Sequence, residues 1–171
     1  MADPKCLRAL IESIDGDGAA GWTVFKASRE VIDLRMADLS SRSFINYDLT
    51  RADLSGGRLF NTDLTGADLS GATLTYCDMR RVNLADAKLT RANLSGSNIE
   101  GGNLVNTNFA EANLTGARLG GAHLVSANLS KANLENAVLR GANLKLAELQ
   151  GARLKGADVE DADLRNVEPG V

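Results

Sequence analysis

Side chains able to do chemistry are few in this chain, and their spacing serves none of it. There is one histidine, His123, and there are two cysteines, Cys6 and Cys77. A single imidazole offers no pair for metal binding or proton relay. Carboxylates are more numerous and regular: Asp33, Asp38, Asp48, Asp53, Asp63, Asp68 and Asp78. Facing carboxylates can run acid–base chemistry or hold a cation, but these fall at multiples of five and are read as corner residues of a repeating backbone. Asp15-Gly16-Asp17-Gly18 opens like a calcium loop, yet Lys26 stands where the bidentate Glu belongs. Gly101-Gly102 introduces no helix and so no phosphate cradle. The glycosylation-like triplets at Asn93, Asn113 and Asn128 are products of the same repeat. The sequence therefore predicts no catalytic residue, no cofactor site and no metal site. His123 falls in an outward polar slot, and Cys77 in an inward small-residue slot, as a buried apolar group. A Cys6–Cys77 disulfide is not expected, since one lies in the N-terminal segment and the other inside the repeats.

The element that must position everything is a five-residue period. From Leu34 to Leu164 every fifth residue is large and apolar, with Phe44, Met79, Ile99, Phe109 and Val159 the only departures from Leu. On an α-helix five residues advance the face by about 500°, so the Leu residues would wind around it. On a straight strand a step of five alternates faces. The pattern keeps one inward column only if the chain turns a corner once per repeat. Two residues before each large position stands Ala in most repeats, as at Ala37, Ala52, Ala72 and Ala92, then every fifth residue from Ala112 to Ala162. A spacing of two puts both side chains on the same face of a short strand. The expected core columns include Leu54, Leu74, Leu94, Leu114, Leu134 and Leu154, with Ala72, Ala92, Ala112 and Ala132 beside them. The remaining positions are mostly Asp, Asn, Ser, Thr, Gly, Lys, Arg and Glu, and Asn, Asp and Gly tolerate the φ values that corners need.

Units such as Ala67-Asp68-Leu69-Ser70-Gly71 and Ala92-Asn93-Leu94-Ser95-Gly96 resemble the A(D/N)LXX repeat of the pentapeptide-repeat family. That resemblance covers about three-quarters of the chain. It implies an all-β solenoid: a right-handed quadrilateral β-helix of four repeats per coil, about seven coils, roughly 30 Å tall at the usual strand spacing. Closure at four sides is the family's property; a twenty-residue echo of Asn93, Asn113 and Asn133 agrees with it. One coil buries too little to fold alone, so folding is expected to be cooperative.

Residues 1–30 are expected to form an α-helical N-terminal cap, 31–167 the β-helix, and 168–171 a tail. A first helix is predicted over residues 3–15, with Asp3 as N-cap, Pro4 as first helical residue, and Leu7, Leu10, Ile11 and Ile14 as its apolar face. A second is predicted over about 20–30, anchored by Trp22 and Phe25. An open β-helix end exposes strand edges and core, and these two faces would cover it. Ile32, Arg42 and Tyr47 occupy small-residue slots of the first coil, with Arg42 expected at the rim. At the other end Pro169 lacks a donor and would blunt the edge. The last coil is left open, so the expected state is a monomer or an end-to-end homodimer through it.

The net charge is −3, from 19 basic and 22 acidic residues spread through the chain, and aromatics make up 4%. That balance excludes a polybasic nucleic-acid surface and a base-stacking platform. Neither a signal peptide nor a membrane span is apparent, so a cytoplasmic protein is expected. Taking every fourth repeat as one side, an outward column reads Ile45, Thr65, Ala85, Val105, Val125. Apolar residues at Ile45, Ala85, Val105 and Val125 are the candidate partner strip. A neighbouring side carries Arg58, Phe60, Arg80, Arg81, Arg118 and Arg140, a second candidate contact for an acidic partner. The function expected is a non-enzymatic structural or protein-interaction module that binds a protein partner and no small-molecule substrate. The resemblance implies an alternative, since some pentapeptide-repeat proteins protect DNA gyrase from fluoroquinolones by imitating DNA. That role needs an acidic column and, in the resistance proteins, loops or a dimerising C-terminal helix; none is apparent here.

Overall fold

Each pentad makes one side of a coil and one corner. In the pentad starting at Leu54, Leu54 N–H donates to Thr73 O of the next coil at 2.7 Å and Gly56 N–H to Thr75 O at 2.8 Å. Gly57 N–H closes the corner on Leu54 O at 2.9 Å, and Arg58 N–H reaches back to Ala37 O of the preceding coil, also at 2.9 Å. The fifth donor, Ser55 N–H, goes to the side-chain oxygen of Asp53 at 3.0 Å. All five backbone N–H groups of this pentad are thus satisfied. Positive φ is adopted at every fifth residue from Met36 to Asn166, between 55° at Tyr76 and 74° at Gly156. A positive φ at the third residue of a hydrogen-bonded corner is the signature of a type II turn.

Residues 1–15, 19–27 and 32–167 are described by the structure, a computed structural model. Every bridge in the stack is parallel and joins residues twenty apart, from Asp33↔Asp53 to Asn143↔Asp163. Four pentads therefore complete one coil. The Leu and Ala columns point inward throughout: Leu54, Leu74, Leu94, Leu114 and Leu134 are fully buried, as are Ala72, Ala92, Ala112 and Ala132 to within 1%. Leu154 departs from the expectation. It is 38% exposed because no described coil stacks on it, and Val159 and Leu164 are open for the same reason. Where a polar residue replaces Ala in the inner column, its hydroxyl meets a backbone carbonyl: Thr62 on Leu39 O, Ser97 on Leu94 O, Thr107 on Leu84 O.

Two helices precede the tower. α1 spans Pro4–Asp15 and α2 spans Ala19–Ala27. Asp3 accepts from Lys5 N–H at 2.8 Å, an N-cap that permits proline in the first turn. The buried stripe of α1 is rotated from the one its Leu and Ile residues advertise. Cys6, Leu10 and Ser13 are buried, while Leu7 and Ile14 flank them and are only partly covered. Ile11 is half-buried and is not packed on the core. Ser13 can face inward because its hydroxyl donates to Leu10 O and shares a hydrogen bond with Tyr47. Trp22 is fully buried, its ring stacked on Phe25 at 5.7 Å. The predicted end of α2 over 28–30, the turn at Gly16-Asp17-Gly18 and the tail 168–171 lie outside the described residues. No helix among the described residues is long and apolar enough to cross a membrane.

Candidate interaction surface

The regular outward side chains do structural work first. Wherever Asp or Asn precedes the large inward residue, its side-chain oxygen accepts the backbone N–H two residues on. The series runs from Asp33 with Arg35 N–H, through Asn108 with Ala110 N–H, to Asp163 with Arg165 N–H. This explains the recurrent carboxylates without chemistry: each caps a donor that the corner leaves behind. Their arginine neighbours strengthen the arrangement. The Arg35 guanidinium donates to Asp33 and holds its carboxyl down at about 2, and Arg165 does the same for Asp163. Among the described residues, no three His, Cys, Asp or Glu converge as metal ligands. His123 is exposed. Cys77 is buried, its thiol donating to Leu54 O at 3.1 Å, and burial pushes its pKa up to about 12, so no thiolate forms at neutral pH.

The twenty-residue register brings the apolar strip together. Ser43, Asp63, Asn83, Asn103 and His123 bridge one to the next, and Ile45, Thr65, Ala85, Val105 and Val125 stand two residues beyond each on the same side. Ile45 is 46% exposed, and the other four are half-buried. An amide ladder borders the strip, with Asn103 donating to Asn83 at 2.9 Å, and Asn83 donating to Asp63 and to Thr65 Oγ1. These bonds fix the border in place and engage Thr65 as well, leaving Ile45, Ala85, Val105 and Val125 as the apolar part of the column.

The arginine side differs from expectation. Arg58 pairs with Asp38, Arg80 with Asp78, Arg118 with Glu100, and Arg140 with both Asp158 and Glu160. Arg80 also lies over the Phe60 ring at 5.6 Å. Most of this charge is neutralised within the face: Arg80 by Asp78 two residues before it, and Arg58, Arg118 and Arg140 by acids that the stacking brings from a neighbouring coil. It is not a free basic patch. Arg42 is half-buried.

The two ends contrast. At the first coil, Asp3 N–H donates to Asp33 O at 3.0 Å, Trp22 Nε1–H to Asp48 O at 2.6 Å, and Lys26 Nζ to the Asp48 carboxylate and the Thr50 hydroxyl. At the last coil, Leu139, Leu144, Leu149, Leu154, Val159 and Leu164 line an apolar cavity of about 260 Å³. What sequence reasoning missed were the N–H donors that lack an Asp or Asn partner, as at Thr90 behind Lys88. A scan for repeats whose second residue is neither Asp nor Asn would have found them.

Comparison with known proteins bears on the repeat directly. The model of pentapeptide repeats matches residues 32–66, 48–86, 62–101, 87–125 and 127–166. Among solved structures, HetL, a pentapeptide repeat protein involved in heterocyst differentiation regulation from the cyanobacterium Nostoc sp. strain PCC 7120, is 32% identical. That match covers 78% of this chain and 72% of HetL at a TM-score of 0.32. A pentapeptide repeat protein of the Arabidopsis thaliana thylakoid lumen is 34% identical, over 64% of this chain and 69% of its own, at a TM-score of 0.37. QnrB1, a plasmid-mediated fluoroquinolone resistance protein, is 22% identical over 77% and 74%, at a TM-score of 0.32. No curated protein matches the chain. The family match covers most of the chain, and the corner, the inward Leu and Ala columns and the twenty-residue register repeat through the matched residues; this chain belongs to the pentapeptide-repeat family of right-handed β-helix solenoids.

Proposed function

We propose that this chain is a non-enzymatic interaction module: a tower of about seven coils over residues 31–167, capped by residues 1–30, that presents one outer side to a protein partner. The observation that carries the reading is the aligned column Ile45, Thr65, Ala85, Val105 and Val125, a mainly apolar stripe along one side, whereas the other exposed large apolar side chains of the tower before its last coil, Met36, Tyr76 and Leu146, stand at corners. Pentapeptide-repeat proteins are generally structural rather than catalytic, which agrees. The hydrogen bonds of Asp3, Trp22 and Lys26 to the first coil support the capping role of the helices. The apolar opening at Leu154, Val159 and Leu164 supports end-to-end pairing with a second copy; light scattering that finds only monomer up to millimolar concentration would remove that part. A cytoplasmic setting belongs to the same proposal and is tested by cell fractionation. Gyrase mimicry is not favoured, because acids such as Asp33, Asp38, Asp78 and Glu100 are paired to arginines rather than ranged as a bare column.

Affinity capture from the native host tests the main reading, with Val105→Lys and Val125→Lys as controls on the strip. A partner held by the natural sequence and lost by both variants sustains it. Partners held equally by all three proteins would refute it. A DNA-supercoiling assay with gyrase settles the alternative.

A further inference from the structure

We propose that a notch around Gly71, on the side of the tower that follows the apolar strip, binds a tetrahedral oxyanion of the phosphate type. Arg51, Ser70, Gly71, Thr90 and Arg91 line an open depression of about 410 Å³. The stack explains how they meet: Asp48, Asp68 and Lys88 bridge in series, so Arg51, Gly71 and Arg91 are the matching corners of three successive coils. The middle corner carries no side chain, leaving a gap between two arginine corners. An added Cβ at Gly71 would meet only Arg51 Cγ, at 3.7 Å. The lining holds two cations and no carboxylate. Arg91 spends its Nε on Glu111 at 2.8 Å and keeps its other guanidinium donors. Arg51 has no ion pair among the described residues.

Donors at Ser70 and Thr90 also lack acceptors. In an ordinary pentad an Asp or Asn takes the N–H that Thr90 presents, but Lys88 stands in that position, and Thr90 N–H has no acceptor among the described residues. The hydroxyls of Ser55 and Thr65, which occupy the equivalent place, donate to Asp53 and Asp63. Those of Ser70 and Thr90 have no such bond among the described residues. Asp68, two residues before Ser70, accepts Ser70 N–H through Oδ1. Arginines from two coils, with Ser70 and Thr90 lining the same depression, ask for an acceptor with oxygens in several directions. A phosphate group meets that demand better than a planar carboxylate.

The test is an NMR titration of the ¹⁵N-labelled full chain with inorganic phosphate at constant ionic strength. Saturable shifts centred on the Gly71 and Thr90 amides are expected. Arg51→Gln and Gly71→Asn should each weaken binding roughly tenfold or more, as loss of a charge-assisted bond and filling of the gap predict. Asn suits the corner, since Asn46, Asn61, Asn106 and Asn136 hold the same positive φ. Lys88→Asn should also weaken it, by giving Thr90 N–H an internal acceptor. O-phosphoserine is the second probe. Binding of both sustains a site for attached phosphate, and binding of inorganic phosphate alone sustains a site for the free ion. Shifts that rise linearly without saturating, or that persist unchanged in the variants, would overturn the proposal.

Discussion

Tyr76 and Gly96 occupy the same corner on successive coils, and the tyrosine ring lies over the glycine. A Cβ added at Gly96 would sit 2.5 Å from Tyr76 Cε1 and 2.7 Å from Cδ1, at a φ of +67°. Gly96→Ala therefore meets two penalties, a displaced ring and a left-handed alanine, and should cost about 1–2 kcal/mol in denaturant unfolding. Tyr76 is 76% exposed, so its own truncation should be nearly neutral. In a Tyr76→Ala background only the backbone penalty should remain, and a double-mutant cycle reads the difference as coupling. A second residue-scale expectation concerns Asn108, whose Oδ1 accepts Ala110 N–H at 3.0 Å. Asn108→Ala should lower stability by about 1 kcal/mol. The same change at Arg58, whose pentad has no such bond, should fall within about 0.5 kcal/mol. Equal effects at both sites would refute the capping role assigned to the Asp and Asn column.

The two helices meet the tower through groups whose charge depends on pH. Burial works to raise the Asp48 pKa, but hydrogen bonds from Lys26 and from Thr50 outweigh it, and the net shift is downward. A carboxylate whose folded pKa is depressed adds stability above its unfolded pKa and loses it as pH falls through the folded one. The Lys26–Asp48 clasp should therefore hold at neutral pH and release only as pH falls below the ordinary carboxylate range. Trp22 is the single tryptophan, fully buried and bonded to Asp48 O, so its emission reports this junction alone. A red shift on acidification should precede loss of the tower's circular dichroism, and Asp48→Asn should show the red-shifted emission already at neutral pH. Emission and tower signal falling together in the natural protein would show that the helices do not detach separately. The helices also mark where sequence reading stops short. Asp3, Pro4 and Trp22 locate them from propensity and capping rules. The inward face of α1 follows instead from a hydroxyl meeting: Ser13 turns toward Tyr47, 34 residues along the chain and beyond any local signal, while Ile11 is only half-buried.

At the scale of the whole molecule, the tower was the legible part and its surface was not. A five-residue period admits no straight helix or strand, so Leu34 to Leu164 and their Ala partners announce an inward core on local geometry alone. The fourfold closure rests on bridges such as Asp33↔Asp53, which no short window contains. The notch at Gly71 is further from reach, because Arg51 and Arg91 become neighbours only through that closure. Stacking also sets how stability is distributed. Leu104 lies between coils and is fully buried, whereas Leu154 closes the last described coil and is 38% exposed. Each coil is held by the next through its hydrogen bonds and shared core, so a defect in the middle should weaken the whole stack. Leu104→Ala should cost about 2–5 kcal/mol, the range for a buried truncation that leaves a cavity. Leu154→Ala removes half-open surface and should cost below about 1 kcal/mol in the monomer. If Leu154 instead seals an end-to-end pair, its truncation should cost more as protein concentration rises, since subunit association then contributes to the measured stability. Denaturant midpoints of both variants across a hundredfold concentration range separate the two cases: a flat, small effect at Leu154 assigns the open coil to the monomer, and a growing one assigns it to the interface.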